Sequence, residues 1–440
     1  MIYGQRGYFV STLVFRQGKT QRNFCSLTWC RAGTVPAHMA KVNPFRALRP
    51  RPDLAEQISA PPYDVLSTEE ARTMAADNPL SFLHVSKPEI DLPPGIDPHA
   101  LEVYEKGAEN FRWLQSEGKL SMEAEPAFYL YRQVMDGHSQ TGLVALADCA
   151  EYEAGDIKKH ELTRPAKEAD RVRHMEALDS QTGLVFLTFR AVPAIDAFML
   201  ERSSMDPDYD FTAGDGVQHT AWVVADDEGV EFLRGAFAEV GALYIADGHH
   251  RSAAAASVCR ARNGSGSSDG FVTVIFPDHQ MQVLAYNRVV KDLNGLMPDD
   301  FLEALGVVFT FEGGGQPDTK NELALYLGGE WRRLRFRPEY AVGDRAEDVL
   351  DVALLQRHVL TPMLGIDDPR TSARIDFVGG IRGASELEKR VDENGWACAF
   401  ALHPTNIGDL LDVADGGGLM PPKSTWFEPK LRDGLFCHNL

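Results

Sequence analysis

Residues 244–256 read Tyr-Ile-Ala-Asp-Gly-His-His-Arg-Ser-Ala-Ala-Ala-Ala, and the fold is decided here. Leu243, Tyr244 and Ile245 make a short apolar run of strand character, which Asp247-Gly248 breaks. The Ala-rich sequence from Ser252 to about Ala261 favours helix. The expectation is a strand–turn–helix. Gly248 allows a tight turn and the close approach of a ligand. The first turn of a helix offers unpaired backbone N–H groups and a partial positive charge, which together suit an anion. Gly248, His249, His250, Arg251 and Ser252 are therefore expected to bind phosphate, with Arg251 able to clamp it bidentately. Asp247 is the odd member, since a carboxylate beside an anion site holds a metal ion or accepts a proton. A lone histidine pair would read as a solvated cap. The crowding of a carboxylate, two imidazoles, a guanidinium and a hydroxyl at one turn argues for function instead. Zinc is the weaker expectation, because adjacent histidines point in different directions and no other cluster offers obvious partners.

Three further segments carry polar groups that suit the same chemistry. His160, Glu161, Thr163, Lys167, Asp170 and Arg171 form a charged block that reads as a loop feeding a helix over 165–178. Lys167 and Arg171 lie four residues apart and so share a helix face, although such runs are often only solvated surface. In Ala60-Pro61-Pro62-Tyr63-Asp64 the prolines impose extended backbone and hold Asp64 in a fixed pose; a plain turn is the competing reading. Met420-Pro-Pro-Lys-Ser-Thr425, with Lys430 beyond it, places two lysines and two hydroxyls, Ser424 and Thr425, on a stiff loop. Asn287-Arg288 ends a strand and can bring another cation. If these segments form one site, Asp64, Glu161, Asp247 and Lys423 should converge on one cleft.

Between them the pattern alternates strands and helices, which implies a mixed α/β (α+β) protein. Ser67 followed by Glu70 is a capping box that predicts a helix from about 68 to 76. Apolar residues at helical spacing predict another from about 99 to 117. Strand-like runs at 127–134 and 141–149 flank Asp136-Gly137, a hairpin signal. Further strands are expected at 183–190, 222–225, 242–246, 271–276 and 282–290, and residues 416–430 should be mainly loop.

The 440 residues, 44% of them hydrophobic, are ample for a large core and suggest two or three domains. The net charge of -20 repels phosphate backbones, so nucleic acid is not an expected partner. No apolar run approaches the roughly 20 residues needed to cross a bilayer. Six scattered cysteines without a CxxC pair suggest free thiols and a cytoplasmic location. Residues 1–38 hold arginines and a lysine but no acidic residue. They read either as upstream sequence from a misassigned start or as an organelle transit peptide, and in both cases as a disordered extension. The division expected is a catalytic region over 39–290 and an α/β region over 291–440 whose terminal loop returns to the site.

Together, APPYDVLS from Ala60, the HELT…K…DR block from His160, YIADGHHRSAAA from Tyr244, YNRVV from Tyr286 and MPPKSTWFEPKLRDGL from Met420 resemble a bacterial and archaeal family catalogued as domain of unknown function 1015. The turn also resembles a phosphate-binding turn of the ParB/sulfiredoxin superfamily, with histidine where sulfiredoxin carries cysteine. The resemblance implies a ParB/sulfiredoxin-like core. It further implies an activity like that of ATP-dependent free-serine kinases: phosphoryl transfer from ATP or ADP, with Mg²⁺, to the hydroxyl of L-serine. On that reading Asp247 ligates the metal. Asp64 or Glu161 takes the hydroxyl proton. His160, Thr163, Lys167, Arg171, Lys423, Ser424 and Thr425 contact the substrate. A homo-oligomer is compatible with the sequence. Two other readings stand beside this one: a ParB-like nucleotide-binding switch without transfer, and a metal-dependent phosphatase or hydrolase using the histidines.

Overall fold

The computed structural model describes residues 40–264 and 266–440, so the expectation for residues 1–38 lies outside the described residues. Those described belong to one compact unit. It is a mixed α/β structure built on two sheets.

The larger sheet has nine strands and mixed pairing. Its spine runs Ile157–Lys158, Leu243–Asp247, Val185–Phe189, Gly270–Pro277, His138–Asp148, Phe128–Met135, Gln218–Val224, Tyr209–Thr212, with Val42–Asn43 paired to His138–Asp148. The two central hairpin strands are joined as their sequence dictates. Met135 pairs with His138, and Asp136 and Gly137 between them have φ of 51° and 82°, the left-handed values that a two-residue turn requires. Side chains alternate between the two faces of each strand. Tyr244, Ala246 and Phe186 enter a core shared with the second sheet. Leu243, Ile245, Val185 and Leu187 face the other way, onto Ala253–Ala256 of the helix His249–Ala261 and onto Ile195 and Phe237.

The smaller sheet has six antiparallel strands, in the order Phe309–Phe311, Glu330–Phe336, Glu322–Leu327, Cys398–Leu402, Tyr286–Val290, Ile375–Gly379. The single strand expected over 282–290 is two. Gln282–Leu284 pairs with Trp426–Glu428, whereas Tyr286–Val290 joins the six-stranded sheet. Ala285 between them turns its carbonyl to Gly380 N–H at 2.7 Å, which takes it out of both ladders. Periodicity does not register this break, because both halves keep strand character.

The first helices follow their sequence signals. Thr68–Ala75 is capped by Ser67, whose side chain accepts from Glu70 N while Glu70 Oε2 accepts from Ser67 N at 2.8 Å. Leu101–Ser116 and Pro165–Leu178 occupy the predicted spans. The segment expected to be extended from Ala60 instead makes a short 3₁₀ turn at Tyr63–Val65 after Pro62. Among the described residues Cys149, Cys259, Cys398 and Cys437 are free thiols, and no helix is long and apolar enough to cross a membrane.

The C-terminal residues are stitched across the body. Ala60 and Asp433 exchange both backbone hydrogen bonds, Leu48 and Cys437 do the same, and His438–Asn439 pairs with Ser180–Gln181. Replacing the exposed cap, Ser67→Ala, should cost about 1 kcal/mol of unfolding free energy in urea titrations, leaving the m-value unchanged.

Candidate active site

The strand Leu243–Asp247 runs parallel to Ile157–Lys158 and antiparallel to Val185–Phe189, and its register slips between Ile245 and Asp247. That bulge delivers Asp247 to the end of the sheet. Gly248 follows with φ 95°, and a Cβ there would stand 3.3 Å from Arg251 Nε and 3.4 Å from Val185 Cα. Only glycine fits that conformation without strain. The helix then starts at His249, earlier than the Ala run suggested, so His249, His250 and Arg251 form its first turn.

A cleft opens at this helix end. It is lined by Asp64, His160, Glu161, Asp247, His249, Lys423, Ser424, Thr425 and Lys430, with Tyr286 and Trp426 on its walls. Thus four separated segments meet, and Asp64, Glu161, Asp247 and Lys423 share one cavity of about 160 Å³. A neighbouring cavity of about 280 Å³ is lined by Tyr63, Lys87, Glu89, His99, Lys167 and Arg171, and it also includes Asp64. Asp64 therefore borders both.

Asp247 is the electrostatic centre. Its Oδ2 accepts from Lys430 Nζ at 3.0 Å, its Oδ1 accepts from Gly248 N at 2.8 Å, and Arg251 Nη2 lies 4.0 Å from Oδ1. Burial alone would raise its pKa, but Lys430 and Arg251 outweigh it and hold the carboxyl well below the usual range. Burial likewise works against the Lys430 ammonium, yet Asp247 and Asp64 keep it above its ordinary value. Lys430 also lies 4.8 Å from the Trp426 ring centroid. Lys423 sits on the rim with φ 58°, a strained left-handed conformation for a lysine, and its ammonium is 5.1 Å from the Tyr286 ring.

The members expected to clamp phosphate divide. His249 reaches the cleft; Gly248, His250, Arg251 and Ser252 do not line it. Arg251 is buried, donates through Nη1 to Leu184 O, and lies 4.0 Å from both Asp64 Oδ2 and Asp247 Oδ1. It ties two carboxylates and a strand together from behind. Ser252 Oγ is spent on Gly248 O and His249 O inside the helix. His250 Nε2 accepts from Arg164 N at 3.0 Å, which docks the 160–164 loop onto the helix.

The other expectations divide similarly. Thr163 bonds Glu168 and stays out of both cavities, while Lys167 and Arg171 line only the neighbouring one. Arg171 pairs with Asp170 at 2.6 Å and packs over the Tyr63 ring at 3.9 Å. Arg288 brings no cation to the cleft; it is buried and donates to Tyr286 O and Pro422 O, bracing the loop that carries Lys423.

Sequence reasoning missed one grouping. His160, Glu161 and His249 each offer a ligand atom within 4.8 Å of the others. The two rings stand edge to face with centroids 4.4 Å apart. Burial pushes His160 down to about 4, and His249 well below its ordinary value. Glu161 stands at the mouth and makes no hydrogen bond or ion pair among the described residues. Desolvation in the cleft mouth lifts its carboxyl above the usual range, Asp247 adds to the effect, and Lys423 opposes it. The available signal was the His-Glu pair itself, which nothing local connects to residue 249.

The chain belongs to the family described as Protein of unknown function (DUF1015), whose model matches residues 42–353. No curated protein matches it. Among solved structures it is similar to a conserved hypothetical protein from Pyrococcus furiosus, 12% identical, covering 67% of this chain and 94% of that one with a TM-score of 0.32. SbnI with C-terminal truncation from Staphylococcus aureus is also 12% identical, over 67% of this chain and 85% of that one, TM-score 0.36. A free serine kinase in complex with AMP is 12% identical over 67% of this chain and 91% of that one, TM-score 0.34.

Because the folded pKa of Asp247 is depressed, its charge contributes stability above the unfolded value of about 3.9 and loses it as pH falls further. Asp247→Asn should lower Tm at pH 7 by several degrees, and the gap to the unsubstituted protein should close in melts taken at progressively lower pH, beginning near 4. A gap independent of pH would separate the effect from the Lys430 pair.

Proposed function

We propose that this cleft transfers a phosphoryl group from a nucleotide to the hydroxyl of a small amino acid, free L-serine being the acceptor that the motif resemblance implies. The observation that carries the reading is the position of Asp64. It borders both the cation-lined cleft and the neighbouring cavity, so a phosphate in one and a hydroxyl from the other would meet at its carboxylate.

Phosphoryl transfer asks for charge neutralisation and positioning more than for covalent help. Lys430, fixed by Asp247, and Lys423 on the rim supply two ammonium groups for the donor's phosphates. The positive end of the helix His249–Ala261 adds to them. The acceptor oxygen bonds to the terminal phosphorus as the bond from that phosphorus to the bridging oxygen breaks. The hydroxyl proton passes to Asp64, and the shortened nucleotide leaves with the released charge against the lysines. Arg251, 4.0 Å away, holds the Asp64 carboxylate in position. Lys167 and Arg171, in the neighbouring cavity, suit the carboxylate of an amino acid.

The resemblance also implies Mg²⁺, which prefers oxygen ligands. Asp247 already gives one oxygen to Lys430 and the other to a backbone N–H, Asp64 is the carboxylate that takes the proton, and the remaining one, Glu161, stands with two imidazoles. That set of two imidazoles and one carboxylate does not fit magnesium. Of the alternatives, hydrolysis at the histidines has an observation behind it, the grouping of His160, Glu161 and His249. It predicts inorganic phosphate release that does not depend on an acceptor.

The test is to incubate the purified protein with ATP or ADP, divalent metal and L-serine and to look for O-phosphoserine by mass spectrometry. Product should form, and Asp64→Asn should lower kcat by ~10²–10⁴-fold with nucleotide affinity unchanged. Nucleotide binding without any O-phosphoserine would overturn the serine-kinase reading.

A further inference from the structure

Buried imidazole nitrogens normally find a partner, because leaving one bare forfeits hydration with nothing in exchange. Among the described residues, two do not. His160 and His249 are 3% and 6% exposed, and His160 Nδ1 and His249 Nε2 are buried with no hydrogen-bond partner. Both residues line the cleft. Their backbones are fixed independently, His160 by accepting from Met420 N at 2.9 Å and His249 by standing first in its helix. The rings are therefore held together by the fold and not by a bond between them.

We propose that His160, His249 and Glu161 bind a divalent transition-metal ion of the imidazole-preferring class, such as Zn²⁺. The three ligand atoms lie within 4.8 Å of one another, a separation that a single ion can bridge after small side-chain adjustments. Two neutral imidazoles and one carboxylate suit zinc, iron or nickel and disfavour magnesium and calcium, whose shells are built from oxygen. Three protein ligands leave a coordination position open to the cleft, the pattern of catalytic rather than closed structural sites. Asp247 remains outside the ligand set because Lys430 occupies it, and its negative charge beside the imidazoles favours a bound cation. The proposal stands whether or not the cleft transfers phosphate.

The experiment uses the full chain without nucleotide. Protein stripped with chelator is titrated with Zn²⁺ by calorimetry and with Co²⁺ by visible absorption. The expected result is one ion per chain, with a Co²⁺ spectrum of four- or five-coordinate type and bands shifted by imidazole ligation. Glu161→Gln removes a rim ligand from an exposed position and spares the core. It should weaken binding by at least the ~10–100-fold typical of changes one shell further out. His249→Ala should weaken it further, and His250→Ala, outside the group, should not. Failure of the unsubstituted protein to bind Zn²⁺ or Co²⁺ overturns the proposal. So does equal binding by Glu161→Gln and His249→Ala. Because no nucleotide or acceptor is present, neither outcome bears on phosphoryl transfer.

Discussion

The pairing of Asp247 with Lys430, across 183 residues of sequence, is the contact on which the site depends. A carboxylate at the end of a buried strand needs a counter-charge, since an uncompensated one costs several kcal/mol even after relaxation. Arg251 alone, 4.0 Å away and shared with Asp64, is too distant to make a close ion pair. Lys430 closes the balance, and in doing so it draws the terminal loop over the cleft. That loop carries Lys423, Ser424 and Thr425 with it and lays Trp426–Glu428 beside Gln282–Leu284. The nearby Arg288 then holds Pro422 from behind. The ion pair, the pairing with Gln282–Leu284 and the bond from Arg288 together fix this wall of the cleft.

The same arrangement reconciles a net charge of -20 with the proposed phosphate site. The acidic surface repels polyanions at long range, whereas the lysines act within a few ångströms, where screening by salt is weak for partly buried groups. Arg251, which sequence reasoning aimed at a ligand, lies behind the cleft between the Asp64 and Asp247 carboxylates. Ser252–Ala256 are small and buried around the whole turn of their helix, and Arg251 directly precedes them. That signal was present in Ser252–Ala256 and marks the guanidinium as internal.

What was legible in the sequence was local. The capping box at Ser67 and Glu70, the Asp136-Gly137 turn and the helix opening at Pro165 each state their structure within four residues, because hydrogen bonds and allowed dihedrals act over that span. The strand–turn–helix around Gly248 was legible for the same reason. The grouping of four segments in one cleft was readable only through motif resemblance, since nothing in residues 60–64 names residue 247. The division of 282–290 between two sheets was hidden because strand propensity does not specify a partner. His160 meeting His249 was hidden for a related reason: a parallel pairing of Ile157–Lys158 with Leu243–Asp247 brings them together, and parallel partners are remote in sequence.

The distance between Asp247 and Lys430 along the chain also has a meaning in time. A ribosome adds roughly 5–20 residues each second, so the lysine emerges on the order of 10–40 s after the aspartate it neutralises. Until residue 430 is made, Asp247 lacks the ammonium that pairs with it in the complete fold, and the strand pairings of residues 433, 437 and 438 cannot form. The cleft is consequently among the last features of the molecule to be completed. A chain stalled or released before residue 430 carries the turn without the ammonium that faces it, and the translation machinery itself withholds the finished pocket until the terminal loop is free to close.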